Sequence, residues 1–203
     1  MTGSSPNLTE LHLDGGRLAL DFVNTVDPRE GPEPKVDHLP DYRALVAWSA
    51  YAGHPVADPA TAGDRATRAI HRRAIALREA LYRIVRAVAT GDTPAQEDLE
   101  TLSREHARAV ARLHLDRTAT AWVPRDKHDP ERPLTAVVVS AVEVLTREDP
   151  TRLRWCPPEH GGCGWVAYDD TRNRSRRWCS MATCGAEVKA RRLTERRRQE
   201  RRA

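Results

Sequence analysis

Between Arg65 and Thr90 the apolar residues fall at steps of four and three: Ile70, Ala74, Leu77, Leu81, Ile84 and Val88. Arg, Glu and His occupy the positions between them, so this is the single stripe of an amphipathic helix laid on a core. Gly91 is its stop signal. The same logic predicts a helix over Asp41 to Ala52, started at Pro40-Asp41 and stopped by Gly53 and Pro55, with Leu45, Trp48 and Ala52 on one face. Thr93-Pro94-Ala95-Gln96 supplies an N-cap, a proline at the first helical position and a capping-box partner. The helix it opens runs to about Arg112, with Leu99, Leu102, Val110 and Leu113 inward. A further helix, Leu134 to Arg147, turns Leu134, Val137, Val138, Ala141, Val144 and Leu145 to one side, and Asp149-Pro150 ends it.

Period-two stretches are shorter. Leu11 to Val26 alternates on either side of Gly15-Gly16 and predicts a half-buried strand or hairpin, with Leu18, Leu20 and Phe22 on one face. Asp21 and Asn24 in this stretch are candidates to hold a ligand; the alternative is that they cap or turn the chain as it leaves the strand. Asp27 to Pro40, with four prolines, reads as a loop, Asp58 to Gly63 as a connection and Lys127 to Pro133 as a polar loop. Leu113 to Arg125 predicts a small hairpin around Arg117.

Composition adds few constraints beyond charge. Residues 151–203 hold 14 Lys and Arg against 6 Asp and Glu, net +8, while residues 1–150 are net −4. A basic end on a mildly acidic body points to an anionic partner for that end. Arg outnumbers Lys thirty to three, so it is the concentration of arginine that informs, more than its abundance. No apolar run reaches the roughly 18 residues of a membrane span. The opening MTGSSPNLTE lacks the basic and apolar regions of an export signal, so residues 1–10 are expected to be a disordered lead and the protein cytoplasmic. No phosphate-cradling glycine loop, HExxH or GxSxG occurs, and an enzyme is not expected.

All four cysteines lie within residues 156–184, as Cys156 with Cys163 and Cys179 with Cys184, and fifteen residues separate the pairs. In a reducing compartment such a cluster favours metal over disulfides. Two knuckles at this interval can surround one tetrahedral Zn²⁺, although both are wider than C-x₂-C. Four cysteines are the preferred ligand set; His160, inside the long first knuckle, replacing a cysteine is the alternative, and no metal at all is the bland one. A site filled by four thiolates is structural, with no position left for a catalytic water. Strands are expected at Arg152 to Trp155 and Gly164 to Tyr168, then a turn or helical stub over Arg172 to Arg177, and a helix from Met181 with Cys184 in its first turn. Trp165 and Trp178 are expected in the finger's small core, stacking on bases being the alternative. The fold class that follows is mainly α with short β-hairpins (α+β): a helical domain over 11–150, a treble-clef-like finger over 151–195 and a basic tail over 196–203.

The run C-G-W-V-A-Y-D-D-T-R-N-R-S-R-R-W-C-S-M-A-T-C-G at 163–185, with G-G-R-L-A-L-D-F-V-N-T at 15–25, resembles the CGNR zinc-finger family, whose N-terminal part is called the ABATE domain. The resemblance implies a zinc-binding finger and a role as a stress-linked transcription regulator in bacteria. The chain departs from the name-giving motif: Cys184-Gly185 is followed by Ala186-Glu187 where the family has Asn-Arg.

Arg172, Arg174, Arg176 and Arg177 before the second knuckle, and Lys189, Arg191 and Arg192 after it, are the candidate nucleic-acid contacts. Arg196, Arg197, Arg198, Arg201 and Arg202 extend them. Such residues give salt-dependent, largely sequence-independent affinity. The expected partner is DNA, or RNA, with a small-molecule effector and a homodimer as further candidates for the helical body, and no membrane. The competing expectation is a zinc-stabilised protein-interaction or RNA-binding module without sequence-specific DNA recognition.

Overall fold

The computed structural model describes residues 11–31, 34–56 and 63–201. The expected disordered lead at 1–10, most of the connection at 58–63 and the last two residues of the tail lie outside the described residues. In chain order the elements are α1 (Leu18–Val23), β1 (Val26–Asp27), β2 (Val36–Asp37), α2 (Tyr42–Tyr51), α3 (Asp64–Thr90) and α4 (Gln96–Ala111). There follow β3 (Leu113–Leu115), β4 (Trp122–Pro124), α5 (Arg132–Thr146), β5 (Leu153–Trp155), β6 (Val166–Tyr168) and α6 (Ala186–Glu200). The strands make three separate antiparallel pairs, β1 with β2, β3 with β4 and β5 with β6. The fold is the helical one with small hairpins that the patterning predicts. No helix among the described residues is long and apolar enough to cross a membrane.

The amphipathic helices form where their stripes place them. In α3 the positions Ile70, Ala74, Leu77, Leu81 and Ile84 are buried, and Gly91 closes the helix in the left-handed region at φ 81°. Asp41 caps α2 by accepting from the Ala44 N–H at 2.8 Å, and Leu45 and Trp48 beneath it are fully buried. Trp48 packs at 5.3 Å and a tilted angle on Phe22 of α1. The valine-rich α5 buries Val137, Val138 and Val144 between α1 and α4.

Four local expectations differ from the structure. The stretch expected as a strand is the short helix α1. All but the first of its residues are buried, against α3, α5 and β6, so the alternation seen in sequence does not mark one wet and one dry face. Its first turn is set by the Asp21 carboxylate, which accepts from the Gly15 N–H at 2.7 Å. A Cβ at Gly15 would stand 2.7 Å from the Asp21 nitrogen, so only glycine lets the chain pass there. The helix α4 starts at Gln96 with Ala95 at the cap, not at Pro94 with Thr93. Its first-turn Asp98 is buried and gives both oxygens to Arg83 of α3, at 2.5 and 2.9 Å, so a cross-helix pair replaces the capping box. Val110, expected inward, is 46% exposed. Inside the loop 27–40, the two-residue strands β1 and β2 pair Val26 with Asp37 and Asp27 with Val36.

The β5–β6 hairpin belongs to the same hydrophobic cluster as the helices: Leu153, Trp165, Val166 and Tyr168 join Leu20, Phe22 and Leu81 in it. Polar ties fix the contact. Asn24, fully buried, donates from Nδ2 to the Val166 carbonyl at 2.8 Å and accepts the Val166 N–H at 3.0 Å, as a neighbouring strand would. The Trp165 indole donates to the Val26 carbonyl at 2.9 Å. Arg17, with its guanidinium 4.3 Å from the centre of the Tyr168 ring, joins Glu148, just past α5, to Asp170 beyond β6.

Asn24→Ala leaves a buried N–H and carbonyl of Val166 unpaired and is expected to lower the unfolding free energy by about 2–4 kcal/mol. Denaturant unfolding measures it, and a loss below about 0.5 kcal/mol would remove the pairing from its central place. Burial pushes the Asp21 carboxyl up to about 6, the Gly15 N–H pulling against it. Its folded pKa thus lies above the unfolded value of about 3.9, so its contribution is full below pH ~4 and lost as pH rises through 6. Asp21→Asn keeps an oxygen for Gly15, and the variant is expected to gain about 2 kcal/mol on the natural protein between pH 4 and 7. Parallel stability curves over that range would refute the assignment.

Candidate metal centre and basic face

Cys156 follows β5 directly and is held by two hairpin bonds: its N–H donates to the Trp165 carbonyl at 2.8 Å, and its carbonyl accepts from Gly164 at 2.9 Å. The six residues before Cys163 are taken up by a tight turn, Pro158–His160, closed by Gly161 at φ 86°. That turn is how a knuckle wider than C-x₂-C still returns its second sulfur to the first. A Cβ at Gly162 would stand 2.6 Å from the Cys156 sulfur, so the loop lies directly against the metal-binding edge. The Cys163 carbonyl accepts from the backbone N–H groups of Arg29 and Glu30 at 2.8 and 3.0 Å, fastening the knuckle to the segment after β1.

Cys184 sits in a wide helical turn, Met181–Gly185, that opens into α6; Ser180 caps it by accepting from the Ala182 N–H. The four sulfurs lie within 4.8 Å of one another, with Cys163 to Cys179 at 3.4 Å and Cys179 to Cys184 at 3.5 Å. A disulfide needs about 2.05 Å, and all four cysteines are free. Tetrahedral Zn²⁺ with Zn–S near 2.3 Å places its sulfurs about 3.8 Å apart, within the spread seen here. The chemistry of the donors agrees. Cysteine binds zinc as the thiolate, and four thiolates this close together repel one another unless a cation lies between them. The cluster is suited to one zinc ion, held by Cys156, Cys163, Cys179 and Cys184. His160 is exposed and is not among the clustered groups.

The seven basic candidates separate into three kinds. Arg176 is used inside the fold: its guanidinium donates to the carbonyls of Tyr168 at 2.9 Å, Asp14 at 2.5 Å, Trp178 at 3.2 Å and also Cys179, closing the loop between the knuckles. Arg174 is exposed but tied to Asp149 at 3.0 Å and Thr151 at 2.9 Å, and Arg172 is exposed on the same loop. Arg177, Lys189 and Arg192 come together along one groove of about 240 Å³, which His160, Trp178 and Met181 also line. Arg191, beside it, faces Glu187 at 3.9 Å. Beyond Val188, which is buried, every residue of α6 is exposed. Ala186 and Glu187, which stand where the family has Asn-Arg, form its exposed first turn.

Asp21 and Asn24 have their side chains engaged by Gly15 and Val166, inside the junction between helices and finger. The structure adds residues that spacing alone does not single out. Arg29 is 5% exposed, pairs with Glu79 at 2.7 Å and lies 4.4 Å over the Tyr82 ring. Tyr82 in turn donates to Glu30 at 2.5 Å and accepts from the Trp155 indole at 3.3 Å. A second concavity of about 410 Å³ runs along α5 beneath the β3–β4 hairpin, between Leu18, Leu113, Trp122 and Val139.

Residues 16–148 match the ABATE family, described as "Putative stress-induced transcription regulator", and residues 152–197 match the CGNR zinc finger. No curated protein matches the chain.

Metal analysis of the purified protein is expected to find close to one zinc per chain, and Cys179→Ser to lose most of it. Full zinc retention in that variant would overturn the four-cysteine assignment.

Proposed function

The chain belongs to the ABATE family and carries a CGNR zinc finger, and on that premise we propose that it regulates transcription by binding duplex DNA through α6. The observation that carries this reading is the helix itself. It is anchored at one end by Val188 and the cysteine turn, is exposed elsewhere, and presents Lys189, Arg191, Arg192, Arg196, Arg197 and Arg198 to solvent. Fifteen residues at 1.5 Å each give a rod of about 22 Å. The DNA major groove is about 12 Å wide and admits an α-helix.

Zinc in this reading is a structural clamp. It fixes the start of α6 to the β5–β6 hairpin, and the hairpin is fixed to α1 and α3, so the helical body carries the arginines at a set angle. The acidic body, net −4, disfavours phosphate contact elsewhere and so orients the encounter. Arginine can also read guanine by paired bonds to O6 and N7, which gives α6 side chains able to discriminate sequence.

Fluorescence anisotropy with a random-sequence duplex tests this. The association constant is expected to fall steeply as salt rises, with a log–log slope of about −0.9 for each phosphate contacted. Replacing Arg196, Arg197 and Arg198 together by Glu is expected to weaken binding at least tenfold without loss of zinc. Duplex affinity unchanged by that charge reversal would reject the role given to α6.

A further inference from the structure

The groove at the base of α6 is built differently from a track for phosphates. Trp178, Met181 and Val188 give it an apolar floor, Arg177, Lys189 and Arg192 line it beside them, and among the described residues no carboxylate does. We propose that this groove receives an unstacked base of a nucleic-acid strand, its phosphate held by the basic wall, so that the finger engages single-stranded or locally opened nucleic acid. The proposal rests on the nucleic-acid reading above and assigns the groove a task that α6 in a duplex does not need.

The floor decides the ligand class. A phosphate alone would gain nothing from lying on an indole and a thioether, whereas every base has a flat π face that stacks on an aromatic side chain whatever its sequence. Met181 is 67% exposed and flanks the half-buried Trp178. Both are held by the cysteine turn: a Cβ at Gly185 would stand 2.9 Å from the Met181 sulfur and 3.2 Å from the Trp178 ring. Trp178 and Met181 therefore stand together against the cysteine turn, at the mouth of the groove. At about 240 Å³ the groove is smaller than the roughly 300–1,000 Å³ of sites for drug-sized molecules, a size suited to one nucleotide unit.

The walls extend the argument along the strand. Lys189, Arg192 and Arg196 are spaced by three and four residues and so share one side of α6. They continue from the groove's lip for about 10 Å along the helix, where the phosphates that follow the bound base would pass. An acidic peptide could meet the same cations but has no general need of a stacking floor.

The test uses the zinc-loaded full chain and two strands of about twelve residues, one of thymidines and one of the same length carrying only abasic sugars. Their affinity ratio cancels the phosphate contacts common to both. The thymidine strand is expected to bind about tenfold tighter, and Trp178→Leu to bring the ratio close to one. Met181→Ser, at an exposed position where folding is not at stake, is expected to lower the ratio several-fold. Equal binding of the two strands, or a ratio untouched in Met181→Ser, would overturn the proposal, and so would a glutamate-rich peptide that displaces the thymidine strand more effectively than free thymidine strand does. Duplex binding is read separately: its absence, with the strand preference intact, counts against the α6 reading and leaves the groove standing.

Discussion

Among the ties between the two halves of the molecule, one side chain is buried completely and paired on both its polar atoms. Asn24 presents a donor and an acceptor to the N–H and carbonyl of Val166, completing an edge of the zinc hairpin as a third strand would. The hairpin has only two strands of three residues each, and an isolated two-stranded hairpin is marginal in water. Its stability comes from outside: Asn24 on one edge, the Trp165 indole on the Val26 carbonyl, and the Arg29 and Glu30 amides on Cys163. The metal closes the site, but the segment from residue 15 to 30 gives that site a wall to be built against. A GGRLALDFVNT stretch far from the cysteines in sequence therefore belongs to the finger in space.

The helices were readable because each is dry on one side and wet on the other. The helix α1 was not, because burial around nearly its whole circumference erases periodicity, and a six-residue element is too short to reveal its period otherwise. Thr93 looked like a cap because its local pattern is sound; the tertiary pair of Asp98 with Arg83 moved the start of α4. The cysteines were legible as a metal site from spacing and composition. What could not be read was which arginines remain available, since Arg176 and Arg177 are neighbours in sequence with opposite fates. Four carbonyls turned toward a single guanidinium are a product of the folded loop, and no local pattern announces them.

Arginine thus serves two purposes in one chain. In the helical body it is matched by carboxylates in dry or half-dry layers: Arg78 with Asp37 and Glu79, Arg73 with Glu105 and Glu131, Arg83 with Asp98. Such buried pairs add little net stability against a hydrophobic alternative but are costly to break on one side. They lock helix to helix in one register. Past residue 176 the carboxylates thin out, and the same residue type changes from an internal fastener into the outward charge of α6.

The anchoring of α6 has a mechanical consequence. Among the described residues, the turn at Met181–Gly185 and the buried side chain of Val188 hold the helix, and both lie at its first end. A rod of about 22 Å held this way is a lever: a tilt of roughly 10° at the zinc turn carries the far end through about 4 Å. The sulfur geometry and the segment that braces Cys163 set that angle. Sub-ångström adjustments deep in the body, passed through the Arg29–Glu30 backbone, would reach the terminal arginines magnified, at the scale of the spacing between neighbouring groups on a nucleic-acid surface.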